Sequence, residues 1–230
     1  MIEELLPDSV VAVEAFGEEG VREFGDAPLY PQEEALVARA VAKRRREFTV
    51  VRGCARRAME KLGVPPQPVL SGERGAPQWP AGVNGSMTHC EGYAGAALVR
   101  AVDLASLGID AEPHQPLPEG VLSAVSLPAE AERLRRLAEE RPEVHGDRLL
   151  FSAKESVYKA WFPLTRKWLD FAEADIDVSA DPAGGAHGVF RARLLVPGPM
   201  VGGRRVECFD GRWIVRRGLV ATAVTVPNDG

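Results

Sequence analysis

Residues 147–162 constrain the fold of this chain most, because they combine a helical apolar pattern with two opposite charges. The apolar residues recur at helical spacing, which predicts one buried stripe on an α-helix. Glu155 and Lys159 lie one above the other on a different face of that helix. A carboxylate beside an ammonium group can hold a metal ion together with a phosphate that the metal binds. The apolar stripe consists of Leu150, Ala153, Val157, Ala160 and Trp161.

The same charges also have an ordinary interpretation. Glu155 and Lys159 fit an exposed ion pair, which stabilises a helix by only about 0.2–0.5 kcal/mol. Ser152 and Glu155 fit a capping box as well. The residues just before Ser152 already have helical character, however, and Asp147 is an earlier candidate for the N-cap.

A second acidic pair, Asp110 and Glu112, lies in the stretch 107–113. If this stretch forms a strand, both carboxylates point to the same face, because side chains alternate along a strand. Together with Glu155 they could then converge on one hard cation such as Mg²⁺, which prefers oxygen ligands. The alternative is that both acids lie on the solvated face of an edge strand.

The two acidic segments resemble a known two-part signature in their order and spacing. The first part reads Gly108-Ile109-Asp110-Ala111-Glu112, and the second reads Phe151-Ser152-Ala153-Lys154-Glu155-Ser156-Val157-Tyr158-Lys159. This pattern is similar to that of the Sfp-type 4′-phosphopantetheinyl transferases, in their actinobacterial and EntD-like branch. The resemblance implies a monomer of two pseudo-symmetric α+β halves, each a small antiparallel sheet packed with a long helix. It also implies a ligand in the cleft between the halves.

The order of the predicted elements agrees with two mixed α+β halves that contain antiparallel sheets and join near 100–105. We assign the halves as 1–104, with the segments that bind coenzyme A, and 105–230, with the metal site and the catalytic helix. No repeat is evident in the sequence itself. The main predicted elements are a strand at 8–16, a helical segment at 31–62 that is broken once and stopped by Gly63, strands at 94–100 and 105–112, a helix at 128–141, the helix at 147–162, and strands at 170–179, 189–196, 212–216 and 219–226.

The charge balance excludes one class of partner. The net charge is −5, which does not suit non-specific binding of nucleic acid. The basic residues nevertheless cluster, and clusters on an acidic background suit a compact anionic ligand. They lie at 43–46, at Arg52, Arg56 and Arg57, and at Arg133, Arg135 and Arg136.

The cysteines and the apolar runs predict a cytoplasmic protein without membrane contact. The three cysteines show no CxxC spacing, so a disulfide framework or a zinc site is not expected and a reducing compartment fits. The acidic start of the sequence lacks the basic region of a signal peptide. No apolar run approaches the length of a membrane span.

Two further segments match the family's segments that bind coenzyme A. Residues 44–52 follow the pattern Arg-x-x-Glu-Phe-x-x-x-Arg, which implies that Arg44 and Arg52 bind the 3′-phosphate. Arginine suits this task because its planar fork binds phosphate bidentately. The ordinary interpretation of these arginines is a solvated basic face, and the ordinary interpretation of His89 in the second segment is a structural histidine. The second segment, Pro-x-Trp-Pro followed by Gly-Ser-x-Thr-His, implies further contacts from Arg74, Ser86, Thr88 and His89, with the histidine on the 3′-phosphate.

The implied reaction transfers the 4′-phosphopantetheine group of coenzyme A to a serine of an apo acyl or peptidyl carrier protein and releases 3′,5′-ADP. Asp110, Glu112 and Glu155 would hold Mg²⁺, or Mn²⁺ in its place. Glu155, Lys159 and Glu112 are the implied catalytic residues, and Lys159 would also bind the pyrophosphate of coenzyme A.

Several points stay open in this interpretation. The serine proton could go to Glu155, to a bound water or to another glutamate of the intervening segment. The role of Lys154 is undecided, and so is the carrier, which could serve fatty-acid, polyketide, nonribosomal peptide or siderophore synthesis. A different coenzyme A- or nucleotide-dependent transferase is one alternative function. A non-enzymatic module that binds coenzyme A or RNA is the other, although three carboxylates would repel RNA.

A proline-rich stretch after Glu112 is a candidate docking surface for the carrier, since it precedes three arginines on a helix. The alternative is that its apolar residues fold back onto the C-terminal half. His114 could extend the acidic cluster, but we expect it on the surface because imidazole is a poor ligand for Mg²⁺. The apolar residues are Leu117, Val121, Leu122, Val125 and Leu127, and the arginines are Arg133, Arg135 and Arg136.

Overall fold

The computed structural model describes residues 1–229 and confirms a mixed α+β fold with small antiparallel sheets. The α-helices are α1 (Gly17–Phe24), α2 (Pro31–Val37), α3 (Ala42–Lys61), α4 (Val121–Val125), α5 (Pro128–Glu140) and α6 (Gly146–Thr165). The strands are β1 (Val11–Phe16), β2 (Leu70–Ser71), β3 (Pro77–Gln78), β4 (Val83–Cys90), β5 (Tyr93–Arg100), β6 (Leu104–Pro113), β7 (Ala174–Ala180), β8 (His187–Leu194), β9 (Met200–Val201), β10 (Arg204–Arg205), β11 (Cys208–Arg216) and β12 (Leu219–Pro227). Short 3₁₀ turns cover Ile2–Leu5, Glu73–Gly75 and Phe171–Glu173.

The N-terminal half packs helix α3 on a three-stranded sheet with the order β1-β5-β4. The long helical segment expected here is indeed broken once, between α2 and α3. Gly63 follows α3 with a φ of +71°, a left-handed conformation that ends a helix and that glycine adopts without strain. The face of α3 that is buried against the sheet consists of Val51, Cys54, Ala55, Ala58 and Met59.

The C-terminal half packs α5 and α6 on a five-stranded sheet with the order β6-β12-β11-β8-β7. The predicted stripe on α6 is confirmed, because all five of its apolar residues are fully buried. Serine and threonine side chains also hold the helix on the sheet. Ser106 Oγ donates to the Ala160 carbonyl over 2.8 Å, and Thr222 Oγ1 donates to the Ser152 carbonyl over 2.9 Å.

Both ends of α6 differ from the prediction. The N-cap is His145, and the predicted cap, Asp147, instead accepts a hydrogen bond from the Leu117 amide over 2.7 Å. The helix also continues past Pro163, although proline cannot donate to the carbonyl four residues earlier. Trp161 and Phe162, the last two residues of the predicted helix, are buried and keep this turn packed against the core, which offsets the lost hydrogen bond.

The two sheets meet where β4 runs beside β6, and side chains hold this seam together. Asn84, Ser86 and Thr88 alternate along β4 and bond to the main chain of β6. Ser86 Oγ accepts from the Ile109 amide over 3.0 Å, and Thr88 Oγ1 accepts from the Ala111 amide over 3.2 Å. The Asn84 amide donates to two carbonyls at the start of β6. The seam therefore places the end of β4 next to the acidic end of β6.

A buried glutamate organises each half in the same way. Glu33 Oε2 accepts from the Tyr30 amide and from Arg56, while its Oε1 accepts from the Val69 amide. In the other half, Glu130 bonds in the same pattern to the Leu127 amide, Lys154 and the Ile176 amide. Both glutamates stand two residues after a proline that opens a helix. This Pro-x-Glu pair is the structural sign of the two-fold repeat that was not evident in the sequence.

The C-terminal half contains strands that the sequence pattern missed, among them a separate two-stranded sheet of β9 and β10. The short strands β9 and β10 were not predicted, and β11 begins at Cys208, four residues before the predicted start. None of the helices among residues 1–229 has the length and apolar character that a membrane crossing requires.

Candidate active site

A cavity of about 670 Å³ lies between the two halves, and it contains most of the predicted site residues. A volume of this size is typical of small-molecule sites in proteins. The N-terminal half contributes α3, the loop before β4 and β4 itself, while the C-terminal half contributes α6. The predicted site residues on its wall are Arg44, Arg52, Arg74, Ser86, His89, Glu155 and Lys159.

Asp110 and Lys159 form an ion pair where β6 meets α6. Lys159 Nζ lies 2.8 Å from Asp110 Oδ1, which also accepts a hydrogen bond from Thr88 Oγ1 over 3.2 Å. Gly108 makes this approach possible, because a Cβ there would lie 2.0 Å from the Ser156 carbonyl oxygen of α6. Asp110 is only 4% exposed, and its Oδ2 has no hydrogen-bond partner among residues 1–229. A buried, unpartnered carboxylate oxygen is a position that a cation can fill.

Glu155 is the second carboxylate that faces this region, from one helical turn before Lys159. It is half-buried, and it makes no ion pair within the part of the chain that the structure describes. Burial raises the pKa of Glu155, Lys159 opposes that shift, and the charge of Asp110 adds to it. The carboxylate oxygens of Asp110 and Glu155 are therefore suitable ligands for a hard divalent cation such as Mg²⁺.

Glu112, the third predicted metal ligand, forms an ion pair with Arg148. Its Oε2 lies 3.0 Å from Arg148 Nη1. Burial and Asp110 raise the pKa of Glu112, while Arg148 lowers it. In residues 1–229 no three acidic, histidine or cysteine side chains are arranged to hold one metal ion. The convergence of all three carboxylates on a single cation therefore stays a prediction.

Basic side chains from α3 and β4 also line the cavity. Arg44 Nη1 lies 2.6 Å from His89 Nε2, so the arginine donates to a neutral imidazole. Burial lowers the pKa of His89, and the charge of Arg44 lowers it further. Arg52 is buried above the ring of Phe48, 3.7 Å from its centroid, and burial lowers the pKa of Arg52 to about 10. These three side chains come from positions 44–52 and 89, as the family resemblance implied, and an anion would stabilise them.

Ser86 and Thr88 face the seam with their hydroxyl groups. Both are buried, and each accepts a hydrogen bond from a main-chain amide of β6. Ser86 also touches the cavity, whereas Thr88 reaches the site through Asp110. Their predicted contacts with coenzyme A stay a prediction, and their visible task is to join the halves.

Sequence reasoning missed an aromatic cluster beside the cavity, in which Tyr158 lines the wall together with the predicted Arg74 and Trp168 packs against both. The Arg74 guanidinium lies 5.3 Å from the centroid of Trp168, whose ring lies 5.1 Å from that of Tyr158. Trp168 is 53% exposed, and the buried Tyr158 hydroxyl has no partner in residues 1–229. Tyr158 could have been found, because it follows Glu155 by three positions and therefore shares its side of α6. Trp168 lies beyond the helix and carries no such signal.

Lys154 and Glu130 lie outside the cavity. Lys154 Nζ is 3.0 Å from Glu130 Oε2, both side chains are buried, and the lysine also donates to the Ala174 carbonyl. Lys154 therefore has a structural role. Glu130, the fully buried acidic residue of the intervening segment, does not line the cavity.

The candidate docking stretch mostly folds back onto its own half. Val125 is buried, and Leu122 packs against the core beside α6. Arg133 pairs with Asp175 and so belongs to the fold. Arg135 and Arg136 are exposed, but each lies beside Glu132, which offsets their charge.

His114 is half-buried rather than on the surface. It accepts a hydrogen bond from the His145 amide over 3.0 Å, and the two imidazole rings lie 4.7 Å apart.

Comparisons with known sequences identify the class of protein to which this fold and cavity belong. Residues 32–99 match the 4′-phosphopantetheinyl transferase N-terminal domain, and residues 106–194 match the 4′-phosphopantetheinyl transferase superfamily. The chain belongs to the 4′-phosphopantetheinyl transferases, a family of enzymes.

Three curated relatives align with nearly the whole chain. The 4′-phosphopantetheinyl transferase Svp of Streptomyces mobaraensis is 58% identical over 98% of this chain and 89% of its own length. PptT of Mycobacterium tuberculosis is 48% identical over 98% of both chains. Npt of Nocardia iowensis is 48% identical over 97% of this chain and 99% of its own length. All three carry the same enzyme name and come from actinobacteria, as the resemblance predicted.

Proposed function

We propose that this enzyme transfers the 4′-phosphopantetheine group of coenzyme A to a serine of an apo carrier protein, in a Mg²⁺-dependent reaction that releases 3′,5′-ADP. The observation that carries the proposal is the set of charged side chains on the cavity wall. Arg44, Arg52 and His89 line it together with Glu155 and Lys159, and Lys159 pairs with Asp110 beside the cavity. A ligand with a 3′-phosphate and a pyrophosphate matches this combination of basic side chains and carboxylates.

In the proposed reaction, the serine oxygen forms a bond to the β-phosphorus of coenzyme A, and the bond from that phosphorus to the bridging oxygen breaks. The leaving group is 3′,5′-ADP, and the serine proton must be removed. Lys159 would donate to the pyrophosphate oxygens, where negative charge builds up as the leaving group departs. Asp110 and Glu155 would hold Mg²⁺, which neutralises pyrophosphate charge when it is bound.

Glu155 is our candidate for the group that takes the serine proton. Glu155 lines the cavity one helical turn before Lys159, so its carboxylate can reach a serine hydroxyl that enters beside the pyrophosphate. Since a carboxylate has two oxygens, one can face the cation while the other accepts the proton. Glu130 is not a candidate, because it is buried against Lys154.

The test is an incubation of the protein with coenzyme A, Mg²⁺ and one apo carrier protein, followed by the intact mass of the carrier. We expect a mass gain of one phosphopantetheine group, which EDTA abolishes. Asp110→Asn should lose this activity while the variant stays folded. Binding of coenzyme A without any mass gain, across carriers of several pathways, would instead support a binding module.

Several finer assignments are part of the same proposal. The division into halves at residue 104, the monomeric state, the cytoplasmic location and the absence of nucleic-acid binding remain predictions from the sequence. The carrier that is used in the cell is the partner that the mass experiment would identify.

A further inference from the structure

Thr88 makes two hydrogen bonds at the seam with a single hydroxyl group. Its Oγ1 accepts from the Ala111 amide over 3.2 Å and donates to Asp110 Oδ1 over 3.2 Å. A hydroxyl carries only one proton, so the proton of Thr88 goes to the carboxylate. The side chain is also buried, which keeps water from competing for these bonds. One residue of the N-terminal half thus reaches the acidic end of β6 in the other half.

Asp110 receives both of its donors on the same oxygen. Lys159 Nζ lies 2.8 Å from Oδ1, the atom that Thr88 also contacts. Oδ2 is buried and has no hydrogen-bond partner among residues 1–229. Two donors from different elements, β4 and α6, therefore restrict the rotation of the carboxylate and hold Oδ2 in one position. Partners of this kind, one step removed from the metal, are what orient a ligand toward it.

Ser86 shows which contact of Thr88 is additional. It lies two positions earlier on β4, is just as buried, and accepts from the Ile109 amide over 3.0 Å. Within residues 1–229 its hydroxyl makes no bond to a carboxylate. Pairing of β4 with β6 therefore requires only that a hydroxyl accepts an amide, and the donation to Asp110 is a separate task of Thr88.

We infer that Thr88 is a positioning residue of the active site, which fixes Asp110 so that its Oδ2 is presented to the cation. The inference deepens the proposed function and rests on it, because it concerns the same cation. It also gives the seam a role in metal binding, since a side chain of the N-terminal half orients a ligand that belongs to the C-terminal half.

The test measures cation binding without turnover and without coenzyme A, so that no contact of a variant with that ligand contributes. Mn²⁺ is titrated against the full-length protein, and free Mn²⁺ is followed by electron paramagnetic resonance. Thr88→Val removes the donated proton at nearly constant volume and should weaken Mn²⁺ binding by about 10- to 100-fold, the usual effect of losing such an outer partner. Thr88→Ser keeps the hydroxyl and should bind Mn²⁺ as the wild type does.

Ser86→Ala is the matched control, because it removes a seam hydroxyl that does not reach Asp110. Its Mn²⁺ affinity should stay close to that of the wild type, even if urea denaturation shows that it is destabilised as much as Thr88→Val. Equal losses of Mn²⁺ affinity in both variants would mean that the seam as a whole sets the affinity, which would overturn the inference. Wild-type affinity in a folded Thr88→Val protein, or no Mn²⁺ binding by the wild type, would do the same.

A measurement on the unaltered protein covers the case in which Thr88→Val does not fold. Amide hydrogen exchange is followed by nuclear magnetic resonance with and without Mg²⁺. A cation that fixes Asp110 also fixes Thr88, so Mg²⁺ should slow exchange of the Ala111 amide more than that of the Ile109 amide, which bonds to Ser86. Equal slowing of the two amides, or none, contradicts the inference. The carrier mass experiment tests the proposed function separately, since the unaltered protein can succeed there whatever Thr88 does.

Discussion

Arg44 and His89 are in hydrogen-bond contact on the wall of the cavity. Arg44 donates to an imidazole whose pKa is lowered by burial and by that same arginine. A phosphate bound here would accept from both groups and favour protonated His89. Arg44 and His89 therefore form one phosphate site, and replacement of either residue should change the binding of the phosphate.

Replacement of Arg44 by alanine should weaken coenzyme A binding by about 1–3 kcal/mol, the scale of a lost charge-assisted hydrogen bond. Dephospho-coenzyme A lacks the 3′-phosphate, so its affinity should change little. Isothermal titration calorimetry with both ligands checks this. Arg45→Ala is the matched control, because Arg45 is exposed and pairs with Glu34. Equal losses for the two ligands would place Arg44 on another part of coenzyme A.

Proton uptake provides a test of His89. The pKa of free His89 is lowered, so the imidazole is largely neutral near pH 7, and a bound phosphate raises that pKa. Between the two pKa values, binding of coenzyme A should take up a proton at this residue. Calorimetry in buffers of different ionisation enthalpy should find a larger uptake for wild type than for His89→Gln. Identical uptake in the two proteins would show that His89 stays neutral.

At the scale of elements, the buried pairs Glu33–Arg56 and Glu130–Lys154 fix the helices of the two halves. Each glutamate also accepts two main-chain amides, so it joins the start of one helix to a distant part of the chain. These contacts stabilise the fold. Removal of either glutamate should therefore lower the free energy of unfolding and leave the catalytic rate of the folded protein largely unchanged.

Glu130→Ala should lower the free energy of unfolding by about 3–5 kcal/mol, because it leaves the buried Lys154 ammonium unpaired. Urea denaturation followed by circular dichroism measures this loss. Glu132→Ala, on the exposed side of the same helix, should cost little. The activity of the folded fraction of Glu130→Ala should stay near wild type. A large loss of activity without a loss of stability would instead make Glu130 the group that takes the serine proton.

The sequence contained enough local information to predict α6 and the acidic strand. The spacing of Val157 and its neighbours determines which face of α6 is buried, and alternation places Asp110 and Glu112 on one side of β6. The pairing of Glu112 with Arg148 could not be predicted in this way. It depends on main-chain carbonyls at 115 and 116 and on a loop path that no periodic pattern describes. The same holds for Trp168, which lies after α6 and packs beside Tyr158 and Arg74.

At the scale of the whole molecule, the cavity lies between the two halves. Helix α3 and strand β4 form one side of it, and α6 forms the other. A ligand that spans it binds only when both halves are folded and together. Its binding energy therefore adds to the stability of the entire chain.

Coenzyme A should accordingly raise the midpoint of thermal unfolding. At a concentration of about 100 times Kd the expected stabilisation is about 2.7 kcal/mol. Differential scanning calorimetry should show one transition that moves upward as a unit. Dephospho-coenzyme A should shift it less at the same concentration. A shift confined to part of a split transition would indicate that the ligand contacts only one half.

The seam between β4 and β6 also has a consequence for solubility. A strand edge with free amide and carbonyl groups is a template on which other chains can aggregate. In this protein β6 is an edge strand of the five-stranded sheet, and the hydroxyls of Ser86 and Thr88 and the side-chain amide of Asn84 bond to its main-chain groups. The pairing that builds the cavity thus also covers this edge, which separation of the halves would expose.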